Sequence, residues 1–271
     1  MGGADEGQRA RHSPAQDCPY VSEELDARSL HFSMSQTQSR MQLRRPDVLD
    51  LEYTCTMMGF LMWRPQPRRL AMIGLGGGSL AKFCYRHLTR ADMIAIEINP
   101  QVVALRDVFQ VPPDGARFRV VCDDGADFVA RTTERFDALL VDGFDAQGMP
   151  ARLGAPRFYD DCVDVLQPGG VLVANLHAGD PLVDVYIERI RQSSGSAVVR
   201  VDDSDAGNTV VFALKAGGDR PMDAVTARRP DGLAPAAWEQ LRAAYARVAA
   251  AARAGEPTGY DNAGVRASTP R

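Results

Sequence analysis

Apolar residues in this chain gather into short runs separated by longer amphipathic stretches. Leu70–Ile73, Met93–Ile96, Phe118–Val121, Phe136–Val141 and Gly170–Ala174 are predominantly apolar, the signature of strands buried on both faces. Between them the spacing predicts helices: from the glycine turn after Ile73 to about His87, onward from Pro100, over Gly125–Arg131, and over Pro156–Leu166. Proline suits the first turn of a helix, whose N–H groups have no partner within the helix. Strand alternating with helix predicts a parallel sheet covered on both sides. The rhythm changes after a helix near Leu182–Gln192. Ala197–Val201 and Thr209–Leu214 flank the turn-forming segment DDSDAGN, which predicts a hairpin and an antiparallel last strand.

The flanks read differently. Residues 1–20 lack periodicity and are expected to be a disordered tail. Ser29–Leu43 alternates between apolar and polar residues, predicting a short hairpin or two strands. Leu51–Trp63 is expected to form one buried helix, stopped by Pro65 and Pro67. Pro235–Arg253 predicts an amphipathic helix, followed after Gly255 by a loose tail. The expected layout is therefore a tail (1–20), an N-terminal β-hairpin and helix element (21–64), a nucleoside-binding domain (65–216), and a C-terminal helix with its tail (217–271). An antiparallel last strand points to an α/β fold of the S-adenosylmethionine-dependent methyltransferase-like (Rossmann-like) kind, with a small N-terminal β element added. It fits a dinucleotide-binding sheet less well.

Composition narrows the function classes. With 45% hydrophobic and 24% charged residues, the chain has the make-up of a globular protein. A net charge of −4 gives no basic face for nucleic acid. The clusters Arg44-Arg45 and Arg64, Arg68, Arg69 read as solvated surface. The five cysteines are scattered; Cys84 and Cys122 stand among apolar neighbours and are expected in the core of a protein from a reducing cytosol. The four histidines show no metal-ligand spacing, so no metal site is expected. Met57–Trp63 is too short to span a membrane, and no signal-peptide pattern is visible, so a cytoplasmic protein without a membrane partner is expected.

Candidate chemistry lies at the strand ends. In MIGLGGGSL the first parallel strand turns directly into a helix. Gly74, Gly76 and Gly78 there allow positive φ and close approach of the backbone to a ligand at a helix N-terminus. Glu97 closes the second strand about twenty residues on, where a carboxylate accepts ribose hydroxyls. Asp124 and Gly125 close the third, where a carboxylate can receive an adenine amino group. Ser79 stands where a nicotinamide fingerprint wants glycine or alanine, which favours a sulfonium nucleoside. Asp142 ends the fourth strand facing the sulfur, and Asp145 follows in a Gly/Pro-rich loop expected to act as a lid.

The succession LEYTCTMM, IGLGGGSL, EIN, DDGADFV, VDGFDAQG and RFYDDCVDVLQPGGVLVANL resembles the spermidine synthase (polyamine aminopropyltransferase) family from about Leu30 to Leu214. The resemblance implies an N-terminal β-domain on a methyltransferase-like sheet and a homodimer. It implies transfer of an aminopropyl group from decarboxylated S-adenosylmethionine to a small amine such as putrescine. It places Glu97 on the ribose and Asp124 on the adenine. Asp142 becomes the base, Asp145 lies on the gate loop, and Tyr53 sits near the amine. Four positions depart from the family pattern. Gly77 stands where the family's GGGDGG carries an acid, DGFDA replaces DSSDP, Thr54 replaces His or Gln, and the last hairpin lacks Tyr-Pro-x-Gly. A neutral residue at 77 leaves intact S-adenosylmethionine open as the ligand. A methyltransferase and a non-catalytic binding protein of this fold therefore stand as alternatives.

Overall fold

In the computed structural model, which describes residues 18–33, 36–144, 148–204, 207–218 and 221–255, three antiparallel strands come first. These are β1 (Tyr20–Glu23), β2 (Ala27–Ser33) and β3 (Gln36–Gln42), paired in the order β1-β2-β3. The expected hairpin is there, with an additional strand in front of it. Residues 1–17, most of the expected tail, and those after Gly255 lie outside the described residues.

The expected helix over Leu51–Trp63 is two elements. Helix α1 (Glu52–Met57) gives way to a 3₁₀ segment over Met58–Met62. The cause is tertiary. A Cβ at Gly59 would stand 3.0 Å from Val248 and 3.1 Å from Phe212, so bare backbone is pressed against the C-terminal helix and the last strand.

The alternating segment follows the predicted order: β4 (Arg69–Ile73), α2 (Ser79–His87), β5 (Asp92–Glu97), α3 (Pro100–Ala104), β6 (Phe118–Cys122), α4 (Gly125–Arg131) and β7 (Phe136–Val141). It continues with α5 (Pro156–Asp164), β8 (Leu166–His177), α6 (Val183–Ser194), β9 (Val198–Asp202), β10 (Asn208–Leu214) and α7 (Pro235–Ala254). Two boundaries are corrected: α5 stops at Asp164, and β8 runs from Leu166 rather than starting at Gly170. The early part of β8 pairs with Phe136 and then shifts register before Ala138, a bulge that let the strand begin in a polar Gln-Pro-Gly-Gly sequence. Cys122 is exposed at the end of β6, an edge strand, and does not belong to the core; Cys84 is buried.

The seven strands lie in the order β6-β5-β4-β7-β8-β10-β9. All neighbours from β6 to β8 are parallel, and β10 is antiparallel to both β8 and β9. This is the methyltransferase-like sheet expected above. Alternation along each strand divides the core. Leu70 and Met72 of β4 join the layer containing α2, the Met58–Met62 segment and α7, while Ala71 and Ile73 join the layer containing α4, α5 and α6. Among the described residues, no helix is long and apolar enough to cross a membrane.

Helix α7 is part of this core. Leu241, Tyr245 and Val248 are fully buried, and Tyr245 Oη donates to the Met58 carbonyl at 3.3 Å. Leu241→Ala is expected to destabilise the protein by about 2–5 kcal/mol, the usual cost of emptying a buried leucine site. Urea unfolding followed by circular dichroism measures it.

Candidate active site

Parallel strands end with their carboxyl edges level, so the residues just past β4, β5, β6 and β7 stand in one row. The junction between β4 and β7 is the tightest. Asp142 N donates to the Ile73 carbonyl at 2.8 Å, and a Cβ at Gly74 would lie 2.0 Å from the Asp142 carbonyl oxygen. Gly74 also has φ of +94°. Any side chain there would force the two strand ends apart, so Gly74 sets where Asp142 can be.

Above this junction is a cavity of about 400 Å³, lined by Gly74, Gly76, Glu97, Asp124, Gly125, Asp142 and Tyr53. Most of the site residues expected from sequence therefore share one space. Gly78 is not on its wall: it takes the left-handed N-cap position of α2, facing Val111. Asp145 lies outside the described residues.

Glu97, the last residue of β5, is 8% exposed. Its Oε2 accepts from Leu75 N and its Oε1 from Asn99 N, both at 2.9 Å. Burial pushes its pKa up, and these backbone N–H groups partly oppose the rise. The N–H groups of Gly76 and Ile98 also turn toward this carboxylate, so it sits in a nest of backbone donors. Asp124 is the N-cap of α4, its Oδ1 accepting from Ala126 N at 2.8 Å and Asp127 N at 3.3 Å. Its Oδ2 faces Arg152 Nη1 at 2.5 Å.

Asp142 is held from two distant parts of the chain. Tyr53 Oη, carried by α1, donates to its Oδ2 at 3.1 Å, and Asn175 Nδ2, on β8, donates to its Oδ1 at 2.9 Å. Loss of hydration raises the Asp142 pKa, while the two donors pull it back. Tyr53 is pushed well above the ordinary tyrosine value by burial first and then by the Asp142 charge, so it remains a neutral donor. With Asp142 ionised, only the amide nitrogen of Asn175 can face it. That leaves Asn175 Oδ1, on a residue 2% exposed, with no hydrogen-bond partner among the described residues.

Sequence reasoning missed Asn175, Arg152, and the cavity residues Phe32, Gln38 and Ser39 of the N-terminal sheet. Asn175 carried one usable signal, an amide interrupting the run VLVANL. Nothing local marked the others, because the small sheet is brought over the cavity by tertiary packing. Ser39 Oγ meets Ser79 Oγ at 3.2 Å, and a Cβ at Gly77 would come 2.7 Å from Ser39 Oγ and 2.9 Å from Phe109. The space a side chain at 77 would need is thus already filled.

A sheet of this order, with a glycine turn and three carboxylates on one edge, is of the methyltransferase-like class. Residues 52–202 match the spermine/spermidine synthase domain. A polyamine aminopropyltransferase of Chromobacterium violaceum is 41% identical over 196 residues, covering 72% of this chain and 75% of that protein. One from Neisseria meningitidis serogroup A is 35% identical over 197 residues, with the same coverage of 72% and 75%. The solved structure of a probable spermidine synthase from Corynebacterium glutamicum shares the fold at TM-score 0.64 and 17% identity, over 72% of this chain and 76% of that one. The chain belongs to the spermine/spermidine synthase family.

The raised Asp142 pKa has a consequence for stability. The folded state holds this proton more tightly than the unfolded chain does, whose value lies near 3.8. The contribution to stability is therefore full below that value and is lost as pH rises through the folded-state pKa. Asp142→Asn, which keeps an oxygen for Tyr53, is expected to be more stable than wild type at about pH 7, with the difference shrinking toward about pH 4. Urea midpoints measured across that range test it; a constant difference would count against a burdened carboxylate.

Proposed function

We propose that this chain transfers an aminopropyl group from decarboxylated S-adenosylmethionine to a small aliphatic amine. The observation that carries this reading is Asp142 on the wall of the cavity, between Tyr53 Oη and Asn175 Nδ2 and in the same space as Glu97 and Asp124. Glu97 takes the ribose hydroxyls, and Asp124 takes the adenine amino group. This leaves the sulfonium toward β7.

An aliphatic amine with a pKa near about 10 is mostly protonated in water and cannot attack. Asp142 binds the ammonium and takes one proton from it, helped by a pKa raised toward the working range. The freed nitrogen lone pair attacks the methylene carbon beside sulfur. The C–N bond forms, the C–S bond breaks, and its electron pair stays on sulfur, which leaves as the neutral thioether of methylthioadenosine. The leaving group needs no acid, so alignment and the fixed charges of the rim supply the rate enhancement.

Methyl transfer from intact S-adenosylmethionine is a weaker reading, because the closely similar sequences are polyamine aminopropyltransferases. Incubation with decarboxylated S-adenosylmethionine and a panel of diamines should release methylthioadenosine. Release of adenosylhomocysteine from intact S-adenosylmethionine instead would overturn the proposal. Asp142→Asn is expected to lower kcat by about 10³-fold or more. Tyr53→Phe removes a donor that holds the Asp142 pKa down, so the acid limb of its pH–kcat/KM profile is expected to move to higher pH. An unmoved limb would remove Tyr53 from this role.

A further inference from the structure

At the other end of the rim from Asp142, the turn after β7 reaches across to α4. Leu153 N and Gly154 N both bond to the Pro150 carbonyl, at 2.9 and 3.0 Å. The turn is pinned: Leu153 is 8% exposed in the core, and the Gly154 carbonyl accepts from Arg189 Nη1 at 2.5 Å. Fixed in this way, it carries the Arg152 guanidinium to the start of α4. Nη1 lies 2.5 Å from Asp124 Oδ2 and 3.2 Å from Asp127 Oδ2, while Nη2 bonds Asp127 Oδ1. Arg152 and Asp124 both line the cavity.

These contacts settle the orientation of one carboxylate. Asp124 Oδ1 is committed to two backbone N–H groups of α4. Its Oδ2 is held by Arg152 and keeps one lone-pair direction. A planar guanidinium that forks onto Asp127 while touching Asp124 gives directional restraint, which a lysine ammonium cannot supply. Two carboxylates against one guanidinium also leave a net negative charge, so the site favours a ligand group that donates.

We propose that Arg152 is a positioning residue for recognition of the donor's nucleobase, restraining Asp124 so that its Oδ2 meets an exocyclic amino group. This rests on the assignment of Asp124 to the base made above. An ionised carboxylate accepts only, so a 6-amino purine satisfies it, whereas a 6-oxo purine sets oxygen against oxygen. Without Arg152 the carboxylate stays anchored through Oδ1, but its Oδ2 loses restraint, takes up water, and discriminates less. Because the guanidinium is 56% exposed, its ion pairs contribute little to folding. Its loss therefore shows in ligand choice rather than in unfolding.

The test is calorimetric titration of the full chain with 5′-methylthioadenosine and its 6-oxo counterpart 5′-methylthioinosine, using wild type, Arg152→Ala and Arg152→Lys. Wild type should prefer the amino compound by about a hundredfold. Arg152→Ala should cut that preference to about tenfold or less by weakening the amino compound alone, with Arg152→Lys in between and urea midpoints unchanged. An Arg152→Ala protein that keeps the full preference, or loses both compounds equally, overturns the role of Arg152 and leaves the donor reading standing. A wild type that binds neither thioether overturns both.

Discussion

A carboxylate drawn back from bulk water must recover its lost hydration from fixed donors, or it will keep its proton. Asp142 imposes that demand on the rest of the rim. Its partners come from a helix about ninety residues earlier and a strand about thirty residues later, so no local segment could satisfy it alone. The glycine at 74 is part of the same constraint, since the backbone of Asp142 occupies the place of its side chain. The site is thus a product of register. Parallel pairing of β4 with β7 and of β7 with β8 fixes the relative heights of Asp142 and Asn175, and α1 brings the phenol to meet them.

Both flanks of the chain serve that placement. Helix α1, which carries Tyr53, is tied to α7 through Arg247, whose Nη2 lies 2.7 Å from Glu52 Oε1 and 3.1 Å from Thr56 Oγ1. Gln240 of α7 accepts from Leu49 N at 3.2 Å, just ahead of the same helix. Glu52 and Thr56 bracket Tyr53 on either side, so the C-terminal helix helps to fix the direction in which the phenol points. The polar ties are partly solvated and individually weak. Burial of Leu241, Tyr245 and Val248 against the Met58–Met62 segment carries most of the attachment.

Much of this architecture was legible in the residues because strands buried on both faces must be apolar along their whole length. The parallel pairing and the row of Glu97, Asp124 and Asp142 follow from that rule together with the glycine turn, and the antiparallel return of β10 from the DDSDAGN turn before it. What stayed hidden has nonlocal causes. The break from α1 into a 3₁₀ segment depends on Val248 and Phe212, and neither leaves a mark in the local pattern. Strand β1 has only four residues, too short for alternation to be counted. Cys122 has apolar neighbours along the chain, yet its strand lies at the sheet's edge. Gly78 looked like a ligand contact because its type fits one, but its work is to turn the chain into α2. Arg152 drew no notice, since nothing in its own segment announces α4.

The position of β10 bears on how the sheet can be completed. Strand β9 is joined to the sheet only through β10, which lies between it and β8. During synthesis the ribosome therefore delivers β9 before the strand that must separate it from the rest. Until Asn208–Leu214 emerges, β8 presents a bare row of amides and carbonyls along the very strand that bears Asn175. A chain cut short of this point keeps an open, apolar, adhesive border, so loss of these seven residues endangers solubility as well as the amide beside the base.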